Sequence, residues 1–233
     1  MSAVFKRELR SYFTSPLAYV VLAVLYLFSG MFFSTLFREG SPQISYVFSN
    51  MFVIILFVIP VLTMRLFSEE KRQKTDQALF TAPVKLGNIV LGKFFAAFLV
   101  FVMGLLIAVA GQMIITVFVA PDWTIFTANL LGVLLLGAAL IAVGLFVSCL
   151  TESQVVAAVC SFAVSLFLLL LDTMAEMLNS DAVSTVTGWI SFNGRYGAFM
   201  HGILDYSNAI FFLSIAALFL FLSARVLEKR RWS

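Results

Sequence analysis

Charged side chains are scarce in this sequence. Asp, Glu, Lys and Arg make up 12% of its 233 residues, about half the share of an ordinary soluble domain. Too little polar surface remains to solvate the 62% that is hydrophobic, which excludes a water-soluble globule. A disordered chain is excluded too, since it needs the opposite composition. Cysteine is nearly absent: Cys149 and Cys160 both lie inside apolar runs, so neither a disulfide framework nor a structural zinc site is available. Histidine occurs once, as His201. No repeat with a period of roughly 20 to 50 residues runs along the chain, which disfavours a secondary carrier built from inverted repeats.

What the sequence does have is long charge-free stretches, and its mean hydropathy is +1.04. A membrane helix needs about 20 predominantly apolar residues. Trimmed at prolines and polar clusters, the stretches predict six spans, at Leu17 to Phe37, Tyr46 to Met64, Phe94 to Ala120, Thr127 to Leu150, Gln154 to Leu171 and Asn208 to Ala224. The expected fold class is therefore an all-α polytopic membrane protein forming a single transmembrane domain over residues 1–233. The first apolar run exceeds the roughly 7 to 15 residues of a signal-peptide core and lacks a small-x-small cleavage site, so it is expected to remain as an anchor.

Orientation follows from the basic residues. With the N-terminus inside, Lys6, Arg7, Arg10, Arg65, Lys71, Arg72, Lys74, Lys85, Lys93, Arg225, Lys229, Arg230 and Arg231 are all cytoplasmic, and only Arg38 and Arg195 fall outside. Both termini are then expected in the cytoplasm. Basic side chains facing anionic inner-leaflet lipid account for the net charge of +3 with no nucleic-acid partner.

Three segments outside the spans carry further information. In residues 1–14, Phe5, Leu9, Tyr12 and Phe13 share one side of a helix opposite Lys6, Arg7 and Arg10, which predicts an interfacial helix broken from the first span by Pro16. In the loop 65–93, Ser68 is placed to cap a helix with Glu69 and Glu70 in its first turn. That helix would be supported by the pairs Glu70 to Lys74 and Arg72 to Asp76 and would end near Thr81, before Pro83. Its apolar tip of Ala78, Leu79 and Phe80 needs cover, either its own bundle or a soluble partner. Gly87 to Lys93 nearly matches a phosphate-binding loop, but Phe94 stands where Ser or Thr must hold magnesium. Close packing at the two glycines and a Lys93 that snorkels to the headgroups are expected instead.

The outer segment 172–207 contains Tyr196, Phe199, Met200, Ile203 and Leu204 on one helical side and Arg195, Ala198, His201 and Asp205 on the other. A second amphipathic helix, half-inserted at the outer leaflet with Trp189, Phe192 and Tyr196 as anchors, is expected there. His201 and Asp205 stand one turn apart and read as a hydrogen-bonded pair or, less simply, as part of a metal or proton site. Asp172 and Glu176 read as the polar stop of the fifth span.

No Asp, Glu, Lys, Arg or His lies deep in a span, which leaves no proton relay and no catalytic centre. No catalytic, cofactor or metal site is expected, and transport would need an outside energy source.

The run Met64-Arg-Leu-Phe-Ser-Glu-Glu-Lys-Arg-Gln-Lys-Thr-Asp-Gln-Ala-Leu-Phe-Thr-Ala-Pro83, followed by Ile89-Val-Leu-Gly-Lys-Phe94, resembles the permeases of ABC-2 type transporters. Gly202-Ile-Leu-Asp205 leading into Ile210-Phe-Phe-Leu-Ser is most similar to the gliding-motility-type branch. Lys74 and Gln77 stand where that family more often has Gly and Glu. The resemblance implies an inner-membrane permease subunit with no nucleotide site of its own. It would pair with a second copy or a related permease, and two separate ATPase subunits would bind ATP and magnesium. Glu69, Glu70, Lys71, Arg72, Thr75, Leu79 and Phe80 would form the coupling helix seated in an ATPase, and the outer helix with Tyr196, Phe199, His201 and Asp205 would cap the exit route. A lipidic or amphipathic cargo suits the apolar bundle, and an accessory periplasmic subunit is compatible with it. The competing reading is a non-transporting anchor or assembly subunit that recruits a cytosolic partner through the same loop.

Overall fold

Apolar sequence surrounded by lipid can satisfy its backbone only internally, so such runs become helices. The computed structural model describes residues 2–40, 43–74, 86–118, 122–178, 188 and 191–231, and among these there is no strand. The described helices are α1 (Ser2–Thr14), α2 (Pro16–Glu39), α3 (Ser45–Thr63), α4 (Ser68–Arg72), α5 (Leu86–Phe118), α6 (Trp123–Leu150), α7 (Gln154–Leu178), α8 (Phe192–Met200) and α9 (Tyr206–Arg231). Five are long and apolar enough to cross a membrane: α2, α3 together with α4, α5, α6 and α9. In α7 the described apolar part, Gln154–Leu168, is shorter, and the side chains of Asp172 and Glu176 lie outside the described residues.

The bundle is organised around α6, on which α3, α5, α7, α8 and α9 all pack. Leu136, Ala139, Ile141, Ala142 and Leu145 of α6 are completely buried. The outside is the reverse of a soluble protein's. Val20, Leu27, Phe57, Leu106, Phe167 and Phe221 are each more than half exposed, an apolar surface that only a hydrocarbon solvent tolerates. One end of the bundle gathers α1, α4 and the start of α5 and is rich in Lys and Arg; it is called the basic end. The far end carries the α2–α3 and α5–α6 connections and α8.

Local sequence explains the joints. Ser15 caps α2 by accepting the Leu17 N–H, and Pro16 fills the first turn, where a missing N–H costs nothing. Asp122 caps α6 through Thr124 and Ile125 N–H groups. α5 begins at Leu86, eight residues before the expected start of that span, because the expected boundary was set by the charge of Lys93 and the helix carries that charge inside. Gly92 on this added stretch takes the close packing: a Cβ there would lie 3.1 Å from the Val4 side chain of α1. A Cβ at Gly87 would meet nothing within 4 Å among the described residues.

Candidate functional site

The basic end is held by a buried cation. Lys93 is 1% exposed, and its ammonium contacts Glu8 Oε1 at 3.1 Å and Glu70 Oε1 at 3.0 Å and donates to the Leu66 carbonyl at 2.6 Å. Three acceptors meet the three donors of an ammonium group, and the Phe67 ring lies 4.9 Å away. The expectation that Lys93 snorkels to headgroups is therefore corrected. Two carboxylates from α1 and α4 reach it inside the fold, which outweighs hydration that a long walk along the helix surface would have supplied.

The cluster continues outward. Arg7 donates to Glu8 at 2.7 Å and Glu70 at 2.5 Å, and Arg65 pairs with Glu69 at 2.8 Å while donating to Ser15 at 2.7 Å. Three cations and three carboxylates thus balance at this end, and all of them except Arg7 line a polar cavity of about 150 Å³. Partial burial disfavours the charged Arg7 guanidinium, but Glu8 and Glu70 outweigh this and raise its pKa overall. Tyr12 lines the same cavity, donates to the Leu62 carbonyl at 2.8 Å, and burial pushes its phenol well above the ordinary value. α1 is therefore bolted to the bundle through Tyr12 and Glu8, with Lys6, Arg7 and Arg10 left exposed.

α4 is tied down by its neighbours more than by its own sequence. Ser68 does not cap it: the Ser68 hydroxyl bonds back to the Met64 carbonyl, and the N-cap residue is Phe67 with no side-chain bond. The cap comes from α6, where the Ser148 hydroxyl accepts the N–H groups of Phe67 and Ser68 at 3.0 and 3.1 Å and donates to Met64 O at 3.2 Å. At the other side Lys71, 7% exposed, donates to the Cys149 carbonyl at 2.5 Å, satisfying a terminal carbonyl of α6.

Of the expected coupling residues, Glu69, Glu70 and Lys71 are engaged within the chain, and Arg72 is exposed. Thr75, Leu79 and Phe80 lie outside the described residues, as do Asp76, Thr81 and Pro83. The helix expected to reach Thr81 stops at Arg72, with Lys74 at φ 56°. That left-handed backbone breaks a helix and suits glycine. The Glu70 to Lys74 pair is replaced by Glu70 with Lys93 and Arg7.

At the far end α8 is drawn into the bundle. Tyr196 is 0% exposed, Phe199 2%. The Tyr196 ring stacks on Phe52 at 4.9 Å, its hydroxyl donates to the Phe48 carbonyl at 3.1 Å, and burial raises its pKa. Phe199 fits against α6 where Gly132 leaves room; a Cβ there would be 2.7 Å from the Phe199 side chain. The expected half-inserted amphipathic helix is corrected accordingly. Its aromatic side is protein core, and Trp189 lies outside the described residues.

The helix also ends sooner. His201 is the C-cap and Gly202, at φ 78°, closes a Schellman motif through Gly202 N–H to Phe199 O and Ile203 N–H to Ala198 O, both 3.1 Å. The chain turns there, which leaves Ile203 and Leu204 exposed and separates His201 from Asp205. Asp205 instead accepts the Ser207 N–H at 2.9 Å at the start of α9. The His201 to Asp205 pair is thus not formed, and no group of metal-binding side chains occurs among the described residues. His201 lines a cavity of about 670 Å³ at this end.

Sequence reasoning missed Glu8 and Ser148. Glu8 lies one turn before Tyr12 on the side of α1 that faces the bundle, away from the exposed Lys6, Arg7 and Arg10, and a carboxylate on that otherwise apolar side was the one usable signal; nothing in the sequence set Ser148 apart from the other polar residues of the spans. No curated protein matches the chain. Residues 3–232 match the model of a family described as ABC-2 family transporter protein. Almost the whole chain is covered, several of its helices are apolar enough to cross a membrane, and the chain accordingly belongs to the ABC-2 family of transporters, as an integral membrane permease component.

Proposed function

We propose that the chain is the permease subunit of an ATP-driven exporter, of the gliding-motility-type branch, with the basic end in the cytoplasm of an inner-membrane location. It works with a second permease copy or a related subunit and with two separately encoded ATPases that bind ATP and magnesium. The cargo is lipidic or amphipathic. Six helices, α2, α3, α5, α6, α7 and α9, cross the bilayer in this reading, so both termini lie inside.

The observation that carries the proposal is the lock on Lys93. α4 leads directly into the loop 75–85 that would seat in an ATPase, and Glu70, Lys71 and Ser148 tie α4 to α5 and α6. A push on the loop therefore enters two long helices through a short, rigid joint. Exposed Arg72 and Lys74 face outward to meet the partner, while Glu69 and Glu70 act on the permease side.

The test is to purify the full chain from its native membrane. An ATP-hydrolysing subunit should copurify, Leu79→Asp should lose it, and Lys93→Met should keep it while uncoupling hydrolysis from cargo movement. A wild-type chain that carries no ATPase would favour the anchor reading.

A further inference from the structure

A cavity of about 670 Å³ opens at the far end among the starts of α3 and α6, the last turns of α5 and the end of α8. Its size is that of a small-molecule site, on the order of 300 to 1,000 Å³, and far above the roughly 30 Å³ share of a single water. Gln112 of α5 lines it although only 2% exposed. Its carboxamide oxygen is buried without a hydrogen-bond partner among the described residues. Gln112 lies six residues before the end of α5, about 9 Å along the axis, a depth at which an unmatched amide oxygen is costly. An amide left open on the wall of a ligand-sized cavity is a group waiting for a partner.

We propose that this cavity binds the uncharged, hydroxyl-bearing head of an amphipathic small molecule. Gln43, Tyr46, Ser49 and Gln112 offer hydrogen-bonding side chains without charge, and Ile115 and Ile125 supply apolar wall for the first carbons of a chain. The one carboxylate, Asp122, already accepts two N–H groups as the cap of α6, where its charge matches the helix terminus. It repels an anionic head, and because its charge is already matched by the helix terminus it caps, it adds little pull on a cationic one. His201, exposed beside the cavity, adds a further hydrogen-bonding side chain. The site rests on the exporter reading for its role in transport, not for its binding.

The full chain in phosphatidylcholine nanodiscs, without ATPase, is photolabelled with an octyl glucoside carrying a diazirine on its alkyl chain. Adducts should concentrate in peptides spanning 43–49 and 112–125 and fall at least tenfold with excess octyl glucoside but not with octyl sulfate. Gln112→Leu should lose the same labelling while keeping the thermal midpoint, and Ser49→Leu, which fills the cavity from another helix, should do likewise. Labelling spread evenly over the lipid-facing helices, or unchanged in both variants, overturns the site, as does equal competition by octyl sulfate. If the assembled transporter moves the probe equally well with Gln112→Leu, the site fails and the exporter reading stands. Gln112-dependent labelling with no ATP-dependent movement leaves the site standing and refutes the exporter reading.

Discussion

The two ends of the bundle each carry a short helix whose sequence reads as amphipathic, and the fold treats them oppositely. At the basic end α1 and α4 are joined to the spans by charge: Glu8 and Glu70 close on Lys93, and Lys71 reaches the end of α6. At the far end α8 is joined by aromatic packing, with Tyr196 on Phe52 and Phe199 in the space above Gly132. Buried ion pairs have strict geometry and collapse when one member is lost, whereas packed rings degrade gradually. Under the proposed exporter mechanism, the joint that transmits a push would be of the first kind and the fixed cover of the second.

The largest effect that sharpens this contrast should come from Lys93→Met, which leaves Glu8 and Glu70 facing each other without their cation. A loss of roughly 3 to 5 kcal/mol is expected, measured as a fall in the unfolding midpoint of the purified protein. Adding Glu8→Gln and Glu70→Gln to that variant should recover most of the loss, since replacing a whole buried ionic group is often near neutral. A triple variant as unstable as Lys93→Met alone would show that the charges are not the joint.

At the far end Tyr196→Phe removes one hydrogen bond and leaves the buried Phe48 carbonyl without that donor, so about 1 to 3 kcal/mol should be lost with the ring packing intact. If Tyr196→Phe costs more than Lys93→Met, the comparison between the ends is reversed. Ser148→Ala should cost about 1 to 2 kcal/mol by uncapping α4 from the neighbouring helix. Faster proteolysis of the loop 75–85 would locate that loss. Lys74→Gly should act the other way, gaining about 1 kcal/mol by relieving the left-handed backbone, as read by the same midpoint. The smallest effect belongs to His201→Ala, within about 0.5 kcal/mol, because the exposed imidazole has no Asp205 partner to lose.

Much of this was legible beforehand in particular residues. The charge-free runs announced membrane helices because they reach the roughly 20 residues a helix needs to span, about twice a barrel strand, and Pro16 marked the break between α1 and α2. The end of α8 is marked by Gly202 in a left-handed conformation after His201, whereas the apolar spacing through Ile203 and Leu204 points to a longer helix. Lys93 misled for a different reason. A lysine at the border of an apolar run is ordinarily a headgroup contact, and only partners 85 and 23 positions away in the chain, Glu8 and Glu70, make burial tolerable.

The sequence by itself determined the solvent, the helical class and the places where charge interrupts the chain, since these depend on local composition and on the backbone's need for hydrogen bonds. Which charges face inward was decided by the tertiary structure alone. Lys93 is buried because α1 and α4 converge on it, Ser148 becomes the cap of α4 because α6 ends beside it, and Tyr196 belongs to the core because α8 turns between α3 and α6. Each depends on distances between helices remote in sequence, and a side chain's burial free energy is set by those neighbours.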